Sequence, residues 1–328
     1  MSLKVLIIKL GALGDVIIAT PHIEQILRHH EDAAVWLLTA PDYAALFSAH
    51  PLLRVAAFPR KGLRPTAAAL HWVRRQQFDV IYDLQGSRRS ALFAALSGAP
   101  QRVGLGSPRI YTRTVRDDDR SRHIFARLAR LLESAGLEPA APRPQLNVSA
   151  TDQARVQKWL RKHRLIERAF VLLHAGSSPG WPSKRWEESH MRALAAALGA
   201  RGLESLWIGA EQDAALNARL AAAGGIDASG SFSLPQLSVL ARKARFAVTT
   251  DSGPMHLFAT AGIPVYALFG PTDWRRSHAV GQAQQVLTHA VACSPCYLRV
   301  CPPRRRHRCL RELTPAQVLE RLQADGMI

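Results

Sequence analysis

The strongest constraint on the fold is a rhythm of short apolar, β-branched runs alternating with longer stretches of helical spacing, and it starts twice within 328 residues. Residues 5–8, 34–39 (AVWLLT) and 79–83 (DVIYD) are runs of this kind. They are too short for a buried helix and do not alternate apolar with polar, so they read as strands covered on both faces. Between them, residues 16–29, 43–50, 65–77 and 88–97 carry apolar side chains at helical spacing. Strands alternating with helices imply a parallel, doubly wound sheet. The second half repeats the pattern, with strands at 169–173, 205–208, 246–249 and 265–269 and helices at 187–201, 213–223 and 234–242. A charged helical stretch, 151–163, follows the Pro-containing residues 141–146 and reads as the connection. The expectation is an α/β chain of two Rossmann-like domains, 1–150 and 151–328, with a last helix over 315–322 that can pack back on the first domain. The length suits two cores of roughly 150 residues each.

Charge narrows the partners. The chain has 43 Lys and Arg against 25 Asp and Glu, a formal net charge of +18. Such a field attracts phosphates, anionic lipid headgroups or nucleic acid. No stretch of about 20 uninterrupted apolar residues occurs, and residues 1–10 read as a strand without a signal-peptide cleavage site, so a cytoplasmic location is expected. All four cysteines fall between Cys293 and Cys309, which excludes a distributed disulfide framework.

Three loops at strand ends carry the chemistry. Lys9-Leu10-Gly11-Ala12-Leu13-Gly14-Asp15 follows the first strand. Glycines let that backbone turn and approach a ligand, and Asp15 opens a helix, where it serves either the reaction or only the helix dipole. A third glycine is missing, which disfavours dinucleotide binding. The segment 174–186 holds Ser177, Ser178, Lys184 and Arg185, hydroxyl and cationic groups suited to phosphate oxygens, or else a solvated basic loop. Thr250-Asp251-Ser252-Gly253-Pro254-Met255-His256 opens another helix, whose first N–H groups suit a diphosphate, with Asp251 or Ser252 as an ordinary cap.

Taken in order, Gly14-Asp15, Asp83-Leu84-Gln85-Gly86 with Ser90-Ala91, Arg102-Val103-Gly104, the segment 174–186, Thr250-Asp251-Ser252-Gly253 with His256, and Phe269-Gly270-Pro271-Thr272 resemble glycosyltransferase family 9, the ADP-heptose:lipopolysaccharide heptosyltransferases. The similarity covers nearly the whole chain. It implies a GT-B fold with acceptor on the N-terminal domain, nucleotide sugar on the C-terminal domain and reaction in the cleft between them. By the same resemblance Asp15 is the general base, and Lys184, with Ser177 and Ser178 nearby, holds the diphosphate. Residues Asp251, Ser252, Gly253, Pro254 and His256 form the anion site, Glu211 meets the ribose, and Phe232 packs on adenine. Gly14, Arg60, Lys61, Arg64, Gln85 and Arg120 are the acceptor candidates among a larger set of arginines that includes Arg88, Arg89, Arg102 and Arg122.

The implied reaction moves a heptose, with inversion, from ADP-heptose to an acidic inner-core lipopolysaccharide at the inner face of the bacterial inner membrane. Lys184 and a helix N-terminus would neutralise the leaving group without a metal cofactor. The only carboxylate run, Asp117-Asp118-Asp119, lies among arginines and reads as a solvated loop. Competing readings are a nucleotide-sugar isomerase or epimerase of the same fold, a related transferase with a protein acceptor, and a nucleic-acid-binding protein. The last is opposed by the lack of a recognisable module and of aromatics among the basic residues. Cys293, Cys296, Cys301 and Cys309 form a Cys-x2-Cys-x4-Cys-x7-Cys pattern that suits a structural zinc or iron, a reduced loop or a disulfide pair.

Overall fold

The computed structural model describes residues 2–115, 121–178 and 180–328. The chain divides into two compact units, Met1–Asn147 and Val148–Ile328.

The first unit is built on β1 (Lys4–Ile8), β2 (Ala34–Thr39), β3 (Leu53–Ala57), β4 (Val80–Asp83) and β5 (Gln101–Gly104). They form one sheet in the order β3-β2-β1-β4-β5, and every pairing is parallel. Val5 to Ile8 are fully buried, as the uninterrupted apolar run requires. Burial of each such side chain contributes about 1.5–3 kcal/mol.

The helix expected over 16–29 is two, Leu13–Ile18 and Thr20–His29. Pro21 has no N–H to offer the Ile17 carbonyl, which accepts instead from the Thr20 hydroxyl at 2.9 Å. The helix expected over 43–50 shrinks to Pro41–Ala44 and a 3-10 turn, Ala45–Phe47. An unexpected helix, Ile124–Ser134, buries Leu128, Leu131 and Leu132 and stacks Phe125 on His22 at 4.5 Å. Residues 107–113 fold back along β5. The Tyr111 ring occupies the space a side chain at Gly104 would need, since a Cβ there would stand 2.3 Å from it.

The second unit contains β6 (Phe170–His174), β7 (Glu204–Trp207), β8 (Ile226–Asp227), β9 (Ala247–Thr250), β10 (Val265–Phe269) and β11 (Val286–Thr288). Its sheet runs β11-β10-β9-β6-β7-β8, again all parallel. Helices cover both faces, and separate apolar clusters form around Phe258 and Leu240 on one side and Trp207 and Leu194 on the other. The last helix, Pro315–Ala324, buries Val318 and Leu322 in the second of these clusters, within its own unit.

In each unit the strand order reverses beside the first strand, between β1 and β4 and between β6 and β9. Ligands of open parallel sheets bind beyond the strand ends at such reversals. The loops that leave β1, β4, β6 and β9 are the ones the sequence marked for chemistry.

Candidate functional site

In the first unit the β1 and β4 loops are bonded to each other. Lys9, 3% exposed, donates from Nζ to the Leu84 carbonyl at 2.9 Å. The N–H groups of Leu10 and Gly11 donate to Gln85 Oε1 at 2.8 and 3.1 Å. Asp83 anchors the partner loop. Its Oδ1 accepts from Gln85 and Gly86 N–H at 2.9 and 3.0 Å, and its Oδ2 accepts from the Tyr111 hydroxyl. Burial pushes the Asp83 carboxyl pKa up, against these hydrogen bonds. Burial likewise lowers the Lys9 ammonium, while the charges of Asp15 and Asp83 act to keep it protonated.

Asp15 lies half-buried in the first turn of Leu13–Ile18, the helix that also contains Gly14. Arg60 reaches the same loop. A Cβ added at Gly11 would meet Arg60 Nη1 at 2.7 Å and Tyr43 Cε2 at 2.8 Å, and the guanidinium lies 5.6 Å from the Tyr43 ring centre. Asp15, Gln85 and Arg60 therefore share one neighbourhood, with Gln85 spending its carbonyl oxygen on the glycine loop. Lys61 and Arg64 are exposed where the helix Leu63–Gln76 begins, beside Leu63, itself 91% exposed. Arg120, and the run Asp117 to Asp119, lie outside the described residues. Arg102 is occupied, donating to the Ile110 carbonyl at 2.7 Å and to the Ala99 carbonyl.

In the second unit Lys184 does not sit in a solvated loop. It rides on the 3-10 turn Pro182–Lys184, and its Nζ is 2.7 Å from Asp251 Oδ2. Their side chains are only 15% and 7% exposed. Thr272, from the loop after β10, donates to the same oxygen at 2.6 Å. The Trp181 ring lies 5.1 Å from the ammonium. Arg185 Nε donates to Ser177 Oγ at 3.2 Å, while Ser178 is exposed.

The expected cap is absent. Gly253–Ala259, only seven residues, has Ser252 as its N-cap in extended backbone, and no side chain bonds its first N–H groups. Both candidates are drawn elsewhere, Asp251 to Lys184 and Ser252 to His174 Nδ1 at 3.1 Å. Gly253 and Pro254 form the helix start, and His256 is 6% exposed within it.

His174 and Asp213 were not singled out by the sequence. His174 ends β6, and burial pushes its imidazole pKa down to about 4 despite the opposing charge of Asp213. Asp213 is 5% exposed; its Oδ2 accepts from the Ala210 N–H at 3.1 Å, and its Oδ1 has no hydrogen-bond partner among the described residues. Glu211 is exposed at the start of the short turn Glu211–Asp213. Phe232 is half-buried, edge-on to Trp159 at 4.9 Å.

Cys293, Cys296, Cys301 and Cys309 are all unpaired, so the disulfide alternative does not apply. Burial and its three neighbouring thiols push Cys309 up to about 11. As the side chains stand, no group of three or more His, Cys, Asp or Glu among the described residues is arranged to hold a metal ion.

With two parallel sheets and an acid-bearing and a cation-bearing loop at their reversals, comparison with known proteins becomes decisive. Residues 67–306 match glycosyltransferase family 9 (heptosyltransferase). The chain belongs to this family. It is 26% identical to lipopolysaccharide heptosyltransferase 1 of Pseudomonas aeruginosa, with 98% of each chain covered. Solved structures of heptosyltransferases share its GT-B fold. The E. coli ADP-heptose lps heptosyltransferase II superposes with a TM-score of 0.79 at 23% identity, covering 98% of each chain. The E. coli heptosyltransferase WaaC with ADP superposes with a TM-score of 0.73 at 19% identity, covering 99% of this chain and 98% of that one. The family 9 chain is a glycosyltransferase, which decides against the isomerase and nucleic-acid readings. No helix among the described residues is long and apolar enough to cross a membrane.

Proposed function

We propose that this family 9 glycosyltransferase moves a heptose from ADP-heptose onto an acidic inner-core lipopolysaccharide, with Asp15 as general base and inversion at the anomeric carbon. The observation that carries the reading is the largely buried Lys184 at the β6/β9 reversal, held by Asp251 beside Thr272, with the exposed Arg185 bonded to Ser177 next to it. Cations held at a strand-end reversal suit a diphosphate, and related proteins of this fold are an ADP-heptose transferase and an ADP complex.

The acceptor hydroxyl gives its proton to the Asp15 carboxylate as its oxygen attacks the anomeric carbon. The bond from that carbon to the diphosphate breaks, and ADP leaves with its electron pair. Lys184 is worth most at that moment, because the bridging oxygen gains charge as the bond opens. A single displacement inverts the anomeric centre. Ser177, Ser178 and the Gly253 to His256 helix start complete the diphosphate site, with Glu211 toward the ribose and Phe232 toward adenine. Arg60, with Lys61, Arg64, Gln85 and Arg120, receives the acidic groups of the acceptor, and the exposed Leu63 among these cations suits the anionic inner face of the membrane.

The test is a thermal-shift comparison of nucleoside diphosphates, followed by transfer assays with ADP-heptose and a lipid A acceptor carrying inner-core sugars. ADP should stabilise the protein more than UDP or GDP, and the product linkage should be inverted. Equal shifts for all three nucleotides, or a retained configuration, would overturn the donor or the mechanism respectively.

A further inference from the structure

The loop 293–309 is bonded to both sides of the Lys184–Asp251 pair. On one side it holds Ser183, the neighbour of Lys184, by every polar group that residue has. The Ser183 N–H donates to the Arg299 carbonyl at 3.1 Å, its hydroxyl donates to the Leu298 carbonyl at 2.6 Å, and its carbonyl accepts from His307 Nε2 at 2.7 Å. On the other side the N–H groups of Cys296 and Tyr297 donate to the Pro271 carbonyl at 3.0 and 2.8 Å, next to the Thr272 that bonds Asp251. The loop thus sets the separation of the turn that carries Lys184 and the loop that orients its partner. Something must in turn fix this loop, which contains no strand and only a 3-10 turn, Pro303–Arg305, and the short helix Arg308–Arg311.

All four cysteines of the chain line one cavity of about 10 Å3, with Arg305 and Arg308 in its wall. That is room for about one water-sized particle. Arg305 Nη1 is buried there without a hydrogen-bond partner among the described residues. A buried guanidinium N–H without an acceptor is costly and signals a missing partner. Four thiols around a single-particle cavity, with an unanswered donor beside them, point to an anionic centre made of thiolates.

We propose that Cys293, Cys296, Cys301 and Cys309 bind one thiophilic divalent ion, of the zinc or ferrous class, with Arg305 donating to a ligand sulfur, and that this ion braces the Lys184 turn. Binding releases the four thiol protons to solvent and leaves a centre of charge −2, which Arg305 and Arg308 offset. Binding requires the sulfurs to turn from their present positions, which do not form a metal site, toward a common centre. Four thiolates leave no open position, so the ion is structural and takes no part in sugar transfer.

The test begins with elemental analysis of full-length protein purified without chelator from medium supplemented with zinc and iron, which also tells the two metals apart. About one ion per chain is expected, released as the four thiols are titrated with a mercurial. Cys301→Ser should lose the ion and Arg305→Met should bind it roughly tenfold more weakly. Arg305→Met keeps all four thiols, so its readout stands if the cysteine variant fails to fold. Fewer than about one ion in ten chains, with four thiols reacting at once in the native protein, overturns the site. The bracing role is read by ADP affinity, which should fall on stripping the ion from the parent protein and stay unchanged on stripping it from Lys184→Ala. Unchanged affinity in the parent overturns that role. Metal content does not depend on which nucleotide sugar is used, so failure here is distinguishable from failure of the donor assignment.

Discussion

Removing the Lys184 ammonium strands the Asp251 carboxylate, whose Oδ2 is left with the Thr272 hydroxyl alone of its two recorded partners. Deleting one member of a fully buried pair costs about 3–5 kcal/mol, because the remaining charge has lost its counterion. Here Lys184 is 15% exposed, and water entering the vacated space offsets part of that cost. The expected loss for Lys184→Ala is about 2–4 kcal/mol. In a unit of this size, that lowers the unfolding midpoint by roughly 5–15 °C. Adding Asp251→Asn removes the stranded charge and should restore most of the midpoint. Affinity should behave differently. Lys184→Ala should weaken ADP binding roughly 10- to 100-fold, the worth of a charged hydrogen bond, and the double variant should not recover it. Scanning calorimetry of the second unit's transition, paired with ADP titration, separates the two effects. A midpoint unchanged in Lys184→Ala refutes the ion-pair energetics, and an intact ADP affinity removes Lys184 from the diphosphate site.

Asp15→Asn keeps the shape and removes the base, so turnover should fall by about 10²- to 10⁴-fold with donor affinity little changed, and near-normal turnover would exclude the base assignment. Gly11→Ala places a Cβ against Arg60 and Tyr43 at a φ of +138°, so a loss of about 1–3 kcal/mol is expected, with a raised KM for the acceptor but not for the donor. An unchanged acceptor KM would separate Arg60 from acceptor binding. Burial depresses the His174 pKa to about 4 from an ordinary value near 6.5, so between those pH values the unfolded chain holds a proton that the folded one lacks. Stability should therefore decline as pH falls through that window, and His174→Gln should flatten the slope; an identical slope in the variant would place the acid sensitivity elsewhere.

The sequence made the central strands legible because they are buried on both faces, and Val5 to Ile8 or Phe170 to Leu173 leave no other reading. The four strands it missed, β3, β5, β8 and β11, are the edges of the two sheets. An edge has one neighbour and carries less apolar demand, so Leu53–Ala57 holds an exposed Arg54 and Gln101–Gly104 begins with Gln101 and Arg102. The candidate loops were legible in position, since glycine, serine and acid at a strand end point to the reversal of a parallel sheet. They were less legible in pairing. Asp251 and Ser252 have the composition of a helix cap, and only the arrival of Lys184 and His174 from distant segments gives them other partners. Phe232, which the resemblance sets against adenine, has its ring edge-on to Trp159, a partner the sequence did not indicate.

The segment 107–113 that folds back on β5 also bears on self-association. An open sheet presents rows of unpaired N–H and C=O groups on which another chain can template, and two open sheets present four such edges. On β5 the return segment consumes them. The Arg102 N–H donates to Thr112 Oγ1, the Arg102 carbonyl accepts from the N–H groups of Thr112 and Arg113, and the Gly104 N–H donates to the Arg113 carbonyl. On the other edges β8 has two residues, β11 has three, and β3 carries the charged Arg54. Cleavage within 107–113 would thus expose a strand to aggregation and free Tyr111 from Asp83, with the +18 charge as the remaining defence against association.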